Sequence, residues 1–459
     1  MELSKELEKA VKLGADYADL RITNVSAQGI NSDNSNVNSI QNNTTQNYGV
    51  RAFIKGAWGF TYGTDINNLK NSIKTAVKLA KLSSKNIKER FKLADFPVYK
   101  EHVKAQVKIK PIDVPLEDKI KRILEFDKLL ERKPIINRTV TANFYSGMLE
   151  FYNTEGSEIK EEAVSFSFFI NVVGKEGVKI QKAFDRVGVT AGYERFESID
   201  QEKFCNGLHE SIKRLLHADS APAGKMPIVI DQDLCHVFFH EAVGHACEAD
   251  AILEKVSILR GKSGKKIAPD FLSLSDDPNV RHVNGFYKYD SEGMLGKEAK
   301  LIKNGVLNEF MNSRETASKL GVEPNGHGRA ESPLMIPYPR MSNTVLYPGD
   351  YKFEELFDGI RLGVYAKGSS GGVVDPNNGN FLFNSQEAFL IENGKITKPL
   401  TDVSFGGNII ETLMKVEKIG NDQIPLIIGG RCGKKGQLVP VCGKCPSIKI
   451  SEAMVGGTN

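Results

Sequence analysis

The stretch Phe238-Phe239-His240-Glu241-Ala242-Val243-Gly244-His245-Ala246-Cys247-Glu248-Ala249-Asp250 places unusual demands on any fold that accommodates it. Two nearby imidazoles can bind a metal, and the glutamate beside the first can move a proton. In helical zinc sites of the His-Glu-x-x-His kind the histidines stand at i and i+4, on one face. Here they stand at i and i+5, an offset of about 140° on a regular helix. Both rings can meet one ion only if the helix ends or winds wide between Glu241 and His245. Gly244 is where such a distortion is cheapest. A rival pairing lies in the same stretch. His236 and His240 are i and i+4, but on that pairing Glu241 faces away and no base is supplied.

A hydrolytic zinc site needs three protein ligands and an open fourth position. His240 and His245 would give two, and Glu241 the base. The residues leave the third open among Glu248, Asp250, His282, His327 and the cysteines. Three cysteines fall in one late segment, Gly429-Gly430-Arg431-Cys432 through Cys442-Gly443-Lys444-Cys445. Cys442 and Cys445 have the spacing of a zinc knuckle or a redox pair. The glycines and lysines there do not make a phosphate-binding loop. Ile428 stands where its first glycine belongs and Lys435 where its Ser or Thr belongs, so nucleotide binding is excluded.

At 459 residues the chain exceeds one ordinary core, and two domains are expected. The break falls at Ala221-Pro222-Ala223-Gly224, giving an N-terminal domain at 1–221 and a C-terminal domain at 222–459 that carries the histidines. The net charge of +4 is small for this length, so nothing calls for nucleic acid or an anionic membrane as partner. No apolar run reaches the ~18 residues of a membrane span, and no secretory leader is visible at the N-terminus. A cytoplasmic protein with reduced thiols is expected.

Along the first half, helical periodicity marks 3–13, 66–83, 116–132 and 200–216. Alternation marks strands at 17–22, 135–152 and 164–173, and a hairpin over 48–60 that turns at Lys55-Gly56. The tract 31–47, rich in Asn, Ser and Thr, reads as a loop or low-complexity piece, or else as a solvated edge hairpin. Trp58, the single tryptophan, is expected in a core. The second half is a series of short strands with few helices. Asn304-Gly305 and Asn393-Gly394 each signal a hairpin. The fold class is α+β, two domains each with a mainly antiparallel sheet flanked by helices.

Several blocks together resemble the TldD/PmbA family of metallopeptidases. They are His240-Glu241-Ala242-Val243-Gly244-His245 with Glu248 and Asp250, and Cys432-Gly433-Lys434 followed by Gly436-Gln437, Val439-Pro440 and Val455-Gly456-Gly457-Thr458. Gly326-His327-Gly328-Arg329, Arg340-Met341-Ser342-Asn343-Thr344 and Gly371-Gly372-Val373-Val374-Asp375-Pro376 add to them. Asp290-Ser291-Glu292-Gly293 looks like the family's Asp-Asp-Glu-Gly, with Ser291 a departure. Cys442 and Cys445 also depart, standing where the family usually has glycine.

The resemblance is to the active type that carries His-Glu-x-x-x-His. It implies zinc held by His240, His245 and Cys432, with Glu241 as catalytic base. Arg329, Arg340 and Asn343 would shape a substrate site or else serve the sheet structurally. The implied activity is hydrolysis of unfolded or extended peptides and small proteins inside a chamber between subunits. The chain would act as a homodimer or with a companion TldE/PmbA-type subunit lacking the motif. The alternative is a non-catalytic, zinc-binding scaffold or partner subunit.

Overall fold

The computed structural model describes residues 2–457; Met1, Thr458 and Asn459 lie outside the described residues, so the last residue of the Val455–Thr458 block is not placed. The fold is α+β, as the patterning predicts.

The first half is built on one seven-stranded sheet whose principal strands are Tyr17–Asp33, Asn36–Ile54, Ile135–Asn153, Glu158–Glu176 and Lys179–Val189. Tyr17–Asp33 is central, pairing antiparallel with both Asn36–Ile54 and Ile135–Asn153; the other long neighbours are antiparallel too, and only the short Lys100–Val103 runs parallel to its neighbour. The alternating residues Val140, Ala142, Phe144 and Phe166, Phe168, Ile170, Val172 all face the core. Helices Leu116–Leu129 and Gln201–Leu216 cover that face. Helix Leu69–Ser83 covers a second cluster with Leu69, Ile73, Ala76, Val77 and Ala80.

The Asn-rich tract is the solvated hairpin rather than a loop. It turns at Asn34-Ser35, both with positive φ (47° and 65°), which matches the twist of the flanking strands. Residues 36–46 are exposed, so polar side chains suffice there.

The second half holds two large sheets and a two-stranded one, Gly328–Arg329 with Tyr338–Pro339. In one large sheet, Leu362–Val374, Gly224–Ile230, Ile448–Gly457, Val403–Asn408 and Asn380–Glu392 pair in that order. The first and last of these also pair with each other, closing a circuit. Helix Gln232–Phe239 packs against these strands. Phe238 sets its ring 5.4 Å from Phe381, 6.2 Å from Phe383 and 6.3 Å from Phe405, centroid to centroid. The other sheet includes Leu274–Asp276, Asn343–Leu346 and Gln437–Cys445, the last pairing with Gly430–Lys434 as a hairpin.

The Asn-Gly turns at 304–305 and 393–394 are both present, each with two positive φ values. The second half is less purely antiparallel than its short strands suggest. Three of its strand pairings are parallel, which their long connections through the sequence permit.

The two halves meet through buried charge. Arg51 lies between Asp19 (2.6 Å) on its own sheet and Glu292 (3.0 Å) across the boundary. Arg21 donates to the carbonyl of Met335 at 2.6 Å. Trp58 belongs to this junction rather than to a core: its indole N–H reaches Glu315 (2.7 Å) and its ring lies under Arg51. Among the described residues, no helix is long and apolar enough to cross a membrane.

Candidate metal centre

Strand Gly224–Ile230 runs into helix Gln232–Phe239 with one residue between them, Asp231. The Asp231 carboxylate caps the helix, accepting from the Leu234 N–H at 2.9 Å. Regular winding stops at Phe239. His240–Gly244 forms a single π-helical turn, and His245–Cys247 a tighter 3₁₀ turn. The wide turn demanded by the i, i+5 spacing is therefore present where it was expected. It swings His245 back beside His240, their ring centroids 5.4 Å apart.

Gly244 serves a purpose other than conformational freedom. Its φ of −55° is open to any residue, but a Cβ there would stand 1.9 Å from the sulfur of buried Met341. Gly244→Ala is accordingly expected to lower unfolding stability by about 1–3 kcal/mol, the usual cost of an overpacked core, measured by denaturant unfolding.

Cys432 reaches this turn from 187 residues away. It sits on the strand Gly430–Lys434, opposite Val439, in a hairpin whose turn Lys435-Gly436 has φ of 49° and 76°. Its sulfur lies 3.5 Å from His245 Nε2. Ligand atoms of His240, His245 and Cys432 all fall within 4.8 Å of one another.

The Glu241 carboxylate stands beside them, 3.7 Å from His245 Nε2, with its side chain 30 % exposed. Cys432 is only 4 % exposed. The carboxylate is thus the more accessible of the two. Burial alone would raise the Cys432 thiol, but the imidazoles of His240 and His245 outweigh it and bring the thiol down to about 5. Burial alone would keep both histidines neutral. The Cys432 sulfur and Glu241 raise His240, and Glu248 with Cys432 raises His245 well above its ordinary range.

These residues fit a zinc-like ion. Imidazole and thiolate are both ligand types that zinc takes, and three protein ligands leave its fourth position open. The local charges favour the ionised sulfur that coordination needs. His240 Nδ1 is buried without a partner among the described residues.

The other candidates go elsewhere. Glu248 and Asp250 stand behind the site: Glu248 meets His245 Nδ1 at 3.1 Å, and Asp250 pairs with Lys434 at 2.7 Å. His327 is buried against Asp276 (3.2 Å), and His282 lines a separate cleft with Arg281 and Lys288. His236 is buried, its ring held neutral by burial and by the neighbouring His240 charge. A Cβ at Gly443 would meet that ring at 2.3 Å.

Cys442 and Cys445 form neither a knuckle nor a redox pair. Both lie in one extended strand, about 10 Å apart along it and on opposite faces. Cys442 points its thiol at the carbonyls of Leu426 and Ile428 (3.0 and 3.2 Å), and Cys445 at that of Thr344.

Arg340 is fully buried and donates to the Cys432 carbonyl at 2.6 Å. Arg329 donates to the Met341 carbonyl and lies 4.8 Å from the Tyr287 ring centroid. Asn343 is fully buried and donates to the Asp277 carbonyl at 2.9 Å. Of these three side chains, Arg340 is the one that hydrogen-bonds the Cys432 strand. Sequence reasoning missed Lys434, which contacts both Glu248 and Asp250; its place in the Cys-Gly-Lys block was the available signal.

Family models described as PmbA/TldA metallopeptidase match the chain in three consecutive parts: domain 1 at 18–80, the central domain at 109–216 and the C-terminal domain at 223–457. A metalloprotease of Methanothermobacter thermautotrophicus is 36% identical over 447 residues, 96% of each chain. A zinc metalloprotease TldD homolog of Saccharolobus solfataricus is 31% identical over 456 residues, 99% of each chain. Among solved structures, a putative modulator of DNA gyrase from Thermotoga maritima superposes with a TM-score of 0.81 at 18% identity over 98% of each chain. TldE from Thermococcus kodakarensis does so with 0.77 at 18% identity, covering 99% of this chain and 100% of its own. At that identity the two structures share the fold alone. With its sequence matched nearly end to end, the chain belongs to the PmbA/TldD family of metallopeptidases.

Proposed function

We propose that the protein is a zinc-dependent peptidase whose metal is held by His240, His245 and Cys432. The convergence of those three ligand atoms beside the Glu241 carboxylate carries this reading. Zinc bound there would supply Lewis acidity toward a carbonyl oxygen and toward water. The chain's own residues do the rest. Glu241, partly open to solvent, takes a proton from the attacking water and returns it to the departing amine nitrogen. His245 presents Nε2 to the site while its Nδ1 faces Glu248. The Arg340 guanidinium fixes the main chain of Cys432.

The substrate in this reading is an unfolded or extended peptide, recognised mainly through its main chain by strand addition. It would enter a chamber formed between subunits, either two copies of this chain or this chain and a TldE/PmbA-type companion. The match in fold to TldE supports a partner of that shape. No sequence-selective pocket is required, because added strands are bound by backbone hydrogen bonds.

The test is metal content together with peptide cleavage. Purified protein should carry about one zinc per chain, as three ligands and one open position require. It should cleave an unstructured peptide, lose that activity on chelation, and regain it with zinc. Cleavage that persists after complete removal of metal would overturn the proposal.

A further inference from the structure

A string of buried charges behind His245 takes no part in the proton transfers above. Glu248 is 2 % exposed. Its Oε2 lies 3.1 Å from His245 Nδ1 and 3.1 Å from Lys434 Nζ. Lys434 also reaches Asp250 at 2.7 Å and the Pro339 carbonyl at 3.0 Å. Arg340, which holds the Cys432 carbonyl, brings its Nε within 3.8 Å of Glu248 Oε1.

Arg340 and Pro339 aside, these residues come from two separate parts of the chain. His245, Glu248 and Asp250 follow the wide helical turn, whereas Cys432 and Lys434 share one short strand. Lys434 therefore pins the histidine segment to the cysteine strand, two residues from the sulfur.

We propose that Glu248 is a positioning residue for the metal centre and that Lys434 holds it in register with the Cys432 strand. The inference rests on the three-ligand reading. A carboxylate that accepts from Nδ1–H fixes the imidazole as the tautomer with a free Nε2, and it fixes the ring's direction. His245 Nε2 is the nitrogen that faces the Cys432 sulfur. Without Glu248 the ring could turn or carry its proton on Nε2, and either change removes a ligand. Without Lys434 the carboxylate would be left buried with its charge less compensated, and it would shift or reorient.

Zinc affinity of the full-length chain, measured by competition with a chromophoric chelator, tests this. Glu248→Ala and Lys434→Met are each expected to weaken zinc binding by about 10–100-fold, the usual effect of removing a ligand's hydrogen-bond partner. Glu248→Gln keeps an oxygen able to accept from both Nδ1–H and Lys434, so it should lose less than the alanine variant. With cobalt(II) in place of zinc, the thiolate-to-metal charge-transfer band should survive in Glu248→Ala, showing that Cys432 still binds and that the loss arises at His245. Should the alanine variant fail to fold, the near-isosteric Gln and Met variants carry the test. Wild-type zinc affinity in all three variants would overturn the positioning role while leaving the metal site standing. Failure of the wild type itself to bind zinc would overturn both.

Discussion

Replacing Glu241 by glutamine is expected to reduce peptide hydrolysis by about 10²–10⁴-fold, the range typical of a lost general base, while zinc content stays that of the wild type. The two side chains have nearly the same shape, so the wide turn and both histidines should keep their places. What disappears is the proton acceptor. Glu241 is suited to that role because it follows the first ligand directly, lies 3.7 Å from His245 Nε2 and retains access to solvent. Hydrolysis of an unstructured peptide and zinc stoichiometry, measured on the same preparation, check this. A variant that keeps both zinc and full activity would remove Glu241 from the reaction. Loss of zinc together with activity would make it a structural or ligating residue instead.

The second large effect is expected at Cys432. Zinc binding at a four-ligand site amounts to about 10–16 kcal/mol, so one ligand accounts for roughly 3–4 kcal/mol if shared evenly. Cys432→Ser should then weaken zinc binding by about 10²–10³-fold and abolish cleavage at ordinary zinc concentrations. Cys442→Ser and Cys445→Ser should leave zinc affinity unchanged. Their thiols point at carbonyls of the sheet, and a hydroxyl can donate to the same acceptors. Chelator competition on the three variants separates the cases. Equal losses from Cys432→Ser and Cys442→Ser would contradict the assignment.

Much of this was legible in the sequence, for identifiable reasons. Long elements with strict periodicity were readable because burial imposes it: helices Leu69–Ser83 and Gln201–Leu216 bury the residues that their 3.6-residue spacing marks. The Asn-Gly hairpins were readable because few other dipeptides accept two positive φ values. The hairpin spanning residues 17–54 was ambiguous because its outer portion is exposed along 36–46, and an exposed strand shows no apolar alternation. The parallel pairings of the second half were not legible, since no local pattern records which distant strands become neighbours.

At the site, the awkward spacing of His240 and His245 foretold the wide turn, because two rings on one ion leave the helix no regular alternative. The proposed third ligand was different. Composition and spacing left ten candidates open, and only likeness to a family singled out Cys432. Its neighbours explain why. The contact with His245 spans 187 residues, a tertiary event without a local signature. Glu248 looked like a ligand because it is acidic and close in sequence. The chain after the 3₁₀ turn becomes extended at Glu248, which carries its carboxylate behind His245 instead of in front of it.

X-ray absorption at the zinc edge of the reconstituted wild-type protein reads the ligand set itself. His240, His245 and Cys432 should give one sulfur at about 2.3 Å and two imidazole nitrogens at about 2.0–2.1 Å, with the remaining position taken by a light oxygen scatterer. A first shell without sulfur, or one with two sulfurs, would contradict it.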